Sequence, residues 1–201
     1  MVPDLVGTGV IKNPYYFSMN TFDDNTHSYT IDGRKVPSVT QIINSFIIPR
    51  ACDPWYLQRG SANHACYAMI ALGKEFECAP ECEPFVRGCR KFFAEVKPEV
   101  VDVERIMFSK RYLFGGTLDL LAVINGCLMI VDYKGSITES LEYQLGSYSL
   151  LYEELKGKKI RYGVGVRIKE DGKYSMTKPI DLRRSANGFL AMRTVYGIIN
   201  K

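Results

Sequence analysis

The sequence predicts a mixed α/β fold, a central sheet held between helices. Three observations carry this. Tight-turn pairs, Asp32-Gly33, Asn125-Gly126 and Asp171-Gly172, each separate two strand-like runs. Two acidic-residue–proline pairs, Asp53-Pro54 and Glu83-Pro84, stand where helical periodicity begins. From Pro84 onward the order reads helix, three strands, helix, strand, strand, helix, which asks for a mixed sheet covered on both faces.

Each element follows from its residues. HSYTIDGRKVPSVT alternates around Asp32-Gly33, a hairpin, and Pro37 with Ser38 opens a short helix over SVTQIINSF. CDPWYLQRGSANHACYAMIALGKE starts with Asp53 as cap and Pro54 at the first helical position. In EPFVRGCRKFFAEVKP, Phe85, Val86, Cys89, Phe92 and Phe93 fall on one helical stripe. VVDVERIMF alternates as a strand, and GGTLDLLAVI and CLMIVDYK flank Asn125-Gly126 as a hairpin. ESLEYQLGSYSLLYEELKG is a helix stopped by Gly157. IRYGVGVRI is a strand, KYSMTKPI pairs back on it, and RRSANGFLAMRTVYGIIN closes as a helix.

The bulk composition narrows the class. The 201 residues suffice for one domain with a full core, and 46% hydrophobic with 24% charged residues is an ordinary globular mixture. No apolar run reaches the roughly 18 residues of a membrane span. MVPDLVGTGVIKNPYY lacks the pattern of a signal or transit peptide, so a soluble, cytoplasmic chain is expected. The net charge of +4 lies in the second half, which fits either a polyanion partner or a solvated surface. Cys52, Cys66, Cys78, Cys82, Cys89 and Cys127 form no C-x-x-C pair. Free buried thiols are the plainer reading, with a metal on Cys78, Cys82 and Cys89 as the alternative.

The chemistry lies in GGTLDLLAVINGCLMIVDYKG, residues 115–135, where Asp119, Asp132 and Lys134 interrupt the most apolar stretch. With a two-residue Asn125-Gly126 loop, Ile124 faces Cys127, Asp119 faces Asp132 and Thr117 faces Lys134. Residues two apart share a face, so the three charges project from one side. Opposed Cβ atoms lie ~4.5–5.5 Å apart, where two carboxylates repel. One lysine neutralises one of them, as a structural ion pair would. A divalent cation neutralises both, and hard oxygens suit Mg²⁺ or Mn²⁺. Such a cation beside a lysine fits phosphodiester hydrolysis, in which it polarises the phosphoryl oxygen and helps deprotonate water.

Asp119…Asp132-x-Lys134, in the order helix, three strands, helix, strand over residues 84–168, resembles the PD-(D/E)XK nuclease superfamily. QLGSY puts Gln144 and Tyr148 at i, i+4 and resembles the Q-x-x-x-Y element of its RecB-like branch. QRGSANH resembles the R-G-x-x-x-H segment of that branch. YTIDGRKVPSVTQII resembles the N-terminal segment of the mitochondrial genome maintenance exonuclease and related phage enzymes. Leu118 stands where the superfamily pattern often has proline, and no cysteine follows Cys127, which argues against the iron–sulfur type.

The resemblance implies a restriction-endonuclease-like core in a single nuclease domain, 1–201. Residues 1–83 would be an N-terminal hairpin and helices with the histidine, 84–168 the αβββαβ core, and 169–201 a final strand and helix. It implies that His64, Asp119, Asp132 and the backbone carbonyl of Tyr133 ligate Mg²⁺ or Mn²⁺. Lys134 would be catalytic with the two aspartates. Gln144, Tyr148 and Arg59 would position DNA, and Glu104 is a possible extra acidic residue. Lys110, Arg111, Lys156, Lys158 and Lys159 are candidates for a DNA path, or else solvated surface. The expected activity is a metal-dependent DNA exonuclease acting on single-stranded or duplex ends in replication, recombination or repair, in a bacterial or phage-infected cell, with or without a recombination or replication partner. The rivals are an endonuclease of the same superfamily, a nucleic-acid-binding protein without catalysis, and a metal-free scaffold.

Overall fold

The computed structural model describes residues 20–24, 26–49 and 53–200. The N-terminal stretch read for targeting signals, and Cys52, lie outside them. The first unit is a three-stranded antiparallel sheet: β1 (Thr21–Asp23), β2 (Ser28–Ile31) and β3 (Arg34–Val36). Asp32-Gly33 closes the β2–β3 hairpin as its turn chemistry predicts, with Ile31 opposite Arg34. Helix α1 (Val39–Asn44) follows. Ser38 accepts from the Gln41 amide while the Gln41 side chain accepts from the Ser38 amide, so two free helix-start donors are satisfied.

Helix α2 (Pro54–Ala71) begins as expected, with Asp53 accepting from the Trp55 amide. A 3₁₀ turn (Pro80–Cys82) leads into α3 (Glu83–Val96), whose Phe85, Val86, Cys89 and Phe92 are buried. Strands β4 (Glu99–Ser109), β5 (Phe114–Ile124) and β6 (Cys127–Lys134) come next. Helix α4 (Ser140–Lys156) is capped by Gly157 at φ +66°, and strand β7 (Tyr162–Ile168) follows it. Residues 83–168 thus run αβββαβ, the core order the resemblance implies. KYSMTKPI splits into β8 (Tyr174–Met176) and β9 (Ile180–Asp181), because Pro179 offers no ladder donor. Both pair with β7. Helix α5 (Leu182–Ile199) ends the chain, capped at its start by Asp181.

The six-stranded sheet has the order β4-β5-β6-β7-β8, with β9 also on β7. The β6–β7 pair is parallel and the others are antiparallel, which makes the sheet mixed. Helices α1, α4 and α5 pack one side through Ile42, Leu145, Leu151 and Phe189. Helices α2 and α3 pack the other through Tyr67, Phe85 and Phe92. This double cover is why β5 is buried almost throughout. The small sheet is fixed to β5 by a Ser38–Gly115 bridge and by the Gly115 amide donating to the Pro37 carbonyl at 3.0 Å. A Cβ on Gly115 would come within 2.3 Å of the Tyr29 ring, so only glycine allows this close packing.

Candidate active site

The β5–β6 register is the expected one: Ile124 pairs with Cys127 and the ladder runs to Leu120 opposite Val131. The ladder ends there, one residue short of Asp119 and Asp132. On the other side of β5, Val103 pairs with Leu120 and Arg105 with Leu118, which sets Glu104 opposite Asp119. Glu104 on β4 and Asp119 on β5 are therefore neighbours, and Asp132 on β6 stands just past the end of the β5–β6 ladder.

The pairing here is not a regular ladder. Leu118 packs with α1, α4 and α5, whereas Leu120, two residues on, packs with α2 and α3. The alternation of faces breaks at Asp119. This corrects the expectation that residues two apart keep one face through Asp119. The local cause is visible on both neighbours. Glu104 holds φ +46°, a left-handed backbone for a residue with a long side chain. On β6, the Tyr133 amide donates 2.8 Å to Asp119 Oδ2, a side-chain bond where a ladder bond would stand.

From α2, His64 places Nδ1 3.5 Å from Asp119 Oδ1. One ligand atom from each of His64, Glu104 and Asp119 lies within 4.8 Å of the others. The expected trio was His64, Asp119 and Asp132, with Glu104 as an extra. In the structure Glu104 joins the trio. Asp132 is completely buried and stands beside it, with the Lys134 ammonium 2.5 Å from its Oδ2. That contact is an ion pair, and the other Asp132 oxygen, Oδ1, has no hydrogen-bond partner among the described residues. The two aspartates are thus neutralised separately, Asp119 by His64 and Asp132 by Lys134.

The protonation equilibria follow. Burial opposes the charge on His64, but Asp119 more than offsets it and lifts the imidazole to about 9. Burial would raise Asp119, yet His64, Lys134 and the Tyr133 amide together hold it below the usual carboxylate range. Burial pushes Asp132 up to about 6, with Lys134 opposing and Asp119 reinforcing the rise. Lys134 is lowered by burial but raised on balance by Asp132 and Asp119. Glu104 is exposed as a residue, yet its carboxyl end crowds into the cleft. Desolvation and Asp119 push it up to about 7.

These groups border a cleft of about 850 Å³. His64, Glu104, Asp119, Gln144 and Tyr148 line it; Asp132 and Lys134 do not. Gln144 Nε2 donates to the Tyr148 hydroxyl at 2.8 Å, so the i, i+4 pair shares one face as expected. The Tyr133 ring is buried against Tyr67 and Phe92, while its amide serves Asp119. Arg59 is not brought to the cleft. Its guanidinium lies over the Trp55, Tyr56 and Phe85 rings and pairs with Glu170 at 2.8 Å, which ties α2 to α3 and to the turn after β7. Of the five candidates for a DNA path, none lines the cleft. Lys110 pairs with Asp32, Lys159 with Glu153, and Arg111 covers the Tyr112 ring.

Sequence reasoning missed the far wall of the cleft: Phe22, Asp24, His27 and Tyr29. It also missed Thr117, whose signal was its place two residues before Asp119. Thr117 hydrogen-bonds the Tyr29 hydroxyl at 2.8 Å. Carboxylate oxygens with an imidazole nitrogen at ligand spacing suit Mg²⁺ or Mn²⁺, and the unpartnered Asp132 oxygen offers one more hard donor beside them. The residues fit such a cation.

No protein-family model matches the chain, and no curated protein matches it. Among solved structures it is similar to a putative exonuclease from Eubacterium rectale, with 12% identity, 79% of this chain and 71% of that one covered, and a TM-score of 0.44. It is also similar to LHK-Exo, an alkaline exonuclease from Laribacter hongkongensis, with 14% identity, 79% and 88% covered, and a TM-score of 0.39. LHK-Exo in complex with dAMP gives 12% identity, 80% and 89% covered, and a TM-score of 0.41. Likenesses this distant carry no functional argument, which must come from the site's own residues.

Proposed function

We propose that this protein is a metal-dependent deoxyribonuclease, an exonuclease that hydrolyses phosphodiester bonds with Mg²⁺ or Mn²⁺. The observation that carries this is the His64–Glu104–Asp119 group at ligand spacing in a cleft, with the buried Asp132–Lys134 pair beside it. A divalent cation held there supplies Lewis acidity toward the phosphoryl oxygen and a water that ionises near neutral pH.

The chain's own groups divide the remaining work. Asp119 is oriented in advance: Oδ2 is held by the Tyr133 amide and Oδ1 faces His64. His64 gives up its proton to act as a ligand. Asp132 fixes the Lys134 ammonium, which stabilises negative charge developing on the phosphate in the transition state. Gln144 and Tyr148, locked to each other, position the strand from α4. The Tyr133 carbonyl is a further ligand in this reading, and the biological setting is DNA replication, recombination or repair.

The test uses end-labelled linear and circular DNA with Mg²⁺, Mn²⁺ or EDTA, and Lys134→Ala as control. Metal-dependent loss of linear DNA, surviving circles and a dead variant support the exonuclease. Cut circles move the protein to the endonuclease class. Binding without cutting under either metal leaves a nucleic-acid-binding protein and refutes the catalytic reading.

A further inference from the structure

We propose that the β1–β2 hairpin is the base-stacking wall of the cleft, and that the substrate is an unpaired nucleic-acid end whose last base lies against Phe22 and His27. The proposal rests on the nuclease reading and names the substrate form the same site takes.

The first argument is electrostatic. Among the described residues that line the cleft there is no lysine or arginine. Its carboxylates are Asp24, Glu104 and Asp119, and its only basic side chains are His27 and His64. Proteins that grip the backbone of a duplex line the groove with Lys and Arg, and their affinity falls steeply with salt. This cleft does the reverse. With Lys134 just behind this lining, a strand that enters would draw much of its affinity from the cation and from contacts to its bases. Asp24, on the hairpin side, repels phosphate and turns the backbone toward the opposite wall.

The second argument is the hairpin itself. Phe22 and His27 meet edge to face at 5.1 Å between centroids. Phe22 lies 4.8 Å from Tyr29, and His27 lies 5.8 Å from Tyr29. Tyr29 is buried, whereas Phe22 and His27 are partly exposed, so two of the three rings keep accessible surface in the cleft. His27 holds φ +48°, a left-handed turn conformation. The wall is also fixed relative to the acidic residues. Tyr29 bonds Thr117, two residues from Asp119, and packs on the bare Gly115 backbone. A base against these rings therefore has a set distance to the group that would hold the metal.

The third argument is Gly60, on the α2 wall. A glycine inside a helix is unfavourable, and nothing lies within 4 Å of where its Cβ would be, so no neighbour requires it. It leaves the helix backbone open to something that enters the cleft. Stacking on aromatic faces is available to a base that has left its own stack, whatever its identity, which selects unpaired ends without selecting sequence.

The experiment uses the whole chain with Mn²⁺ and single-stranded oligodeoxynucleotides carrying 2-aminopurine as the last base at one end or the other. Fluorescence is read by rapid mixing before cleavage. Stacking quenches it, and the quench gives Kd. The expected result is a quench at one end with a shallow salt dependence. Replacing that last base by an abasic nucleotide should weaken binding roughly 5- to 150-fold. Phe22→Leu combined with His27→Asn should cause a similar loss, asparagine being tolerant of the left-handed backbone. Phe22→Tyr should keep affinity, and a blunt duplex should bind worse than the single strand. The abasic comparison uses the unaltered protein, so it decides the matter even if the double variant fails to fold. Equal binding of abasic and normal ends, or no binding of single strands at all, overturns the proposal. Metal-dependent cleavage with no abasic penalty rejects the stacking wall and leaves the nuclease reading standing.

Discussion

Lys134 is the most informative residue to remove. Its ammonium lies 2.5 Å from a carboxylate that is completely buried and whose other oxygen has no hydrogen-bond partner among the described residues. Lys134→Met strands the Asp132 charge, and breaking a buried pair from one side costs about 3–5 kcal/mol. At about 2–4 °C of Tm per kcal/mol for a chain of this size, the melt should fall by roughly 6–20 °C at pH 8 without metal. The loss should shrink below pH 6. Asp132 already sits at about 6 with Lys134 in place; without the ammonium it rises further and takes a proton instead of remaining charged. Adding Asp132→Val removes both charges, and the double variant should melt within about 1 kcal/mol of the parent or above it. Both variants should lose DNA cleavage. Calorimetry at pH 5.5 and 8, paired with the linear-DNA assay, reads all of this. A double variant as unstable as the single one, or one that still cleaves, would refute the assignment of this pair to catalysis.

Further outcomes follow from the same geometry. Metal-free Tm should fall as pH rises from about 5 to 9. Folding lifts Glu104 to about 7 and His64 to about 9, and stability tied to a raised pKa is lost as pH climbs through it. Over that range Mn²⁺ should bind more tightly and release about one proton at pH 8, read by titration calorimetry in two buffers of different ionisation enthalpy; pH-independent affinity would exclude His64 as a ligand. Gly60→Ala should raise Tm by a few degrees, since it meets no neighbour and gains up to about 1 kcal/mol of helix propensity, while raising KM for single strands. Gly115→Ala should cost about 1–3 kcal/mol by driving a methyl group into the Tyr29 ring, and limited proteolysis should then find the β2–β3 hairpin more open. Glu104→Gly should relax a left-handed backbone worth about 1–3 kcal/mol of strain and leave the protein at least as stable but inactive; a large drop in Tm would show that Glu104 is structural.

What could be read from the sequence was whatever a local rule fixes. Asn125-Gly126 sets a two-residue loop, and the loop sets the register that the structure shows from Ile124–Cys127 to Leu120–Val131, one step short of Asp119 and Asp132. Asp53-Pro54 and Gly157 mark helix ends because caps act within one turn. Features that depend on tertiary contact were hidden. The left-handed Glu104 has no sequence mark, and neither does the break in alternation between Leu118 and Leu120. Arg59 stands four residues after Trp55 and three after Tyr56, but its pairing with Glu170 needs the sheet to bring the turn after β7 beside α2. Strand β1 is three residues long and too short to show a period, so Phe22 and the far wall of the cleft escaped notice.

The charge argument itself divides in the same way. Counting one lysine against two aspartates left one carboxylate of the stretch without a partner. It could not see that His64, arriving from α2, neutralises Asp119 and leaves Lys134 for Asp132. The third carboxylate, Glu104, forms no ion pair among the described residues and borders the cleft beside Asp119. The imbalance therefore moves from the buried hairpin to the surface a ligand can reach. In the proposed reading a divalent cation at His64, Glu104 and Asp119 would balance Glu104 and displace the proton that His64 otherwise keeps.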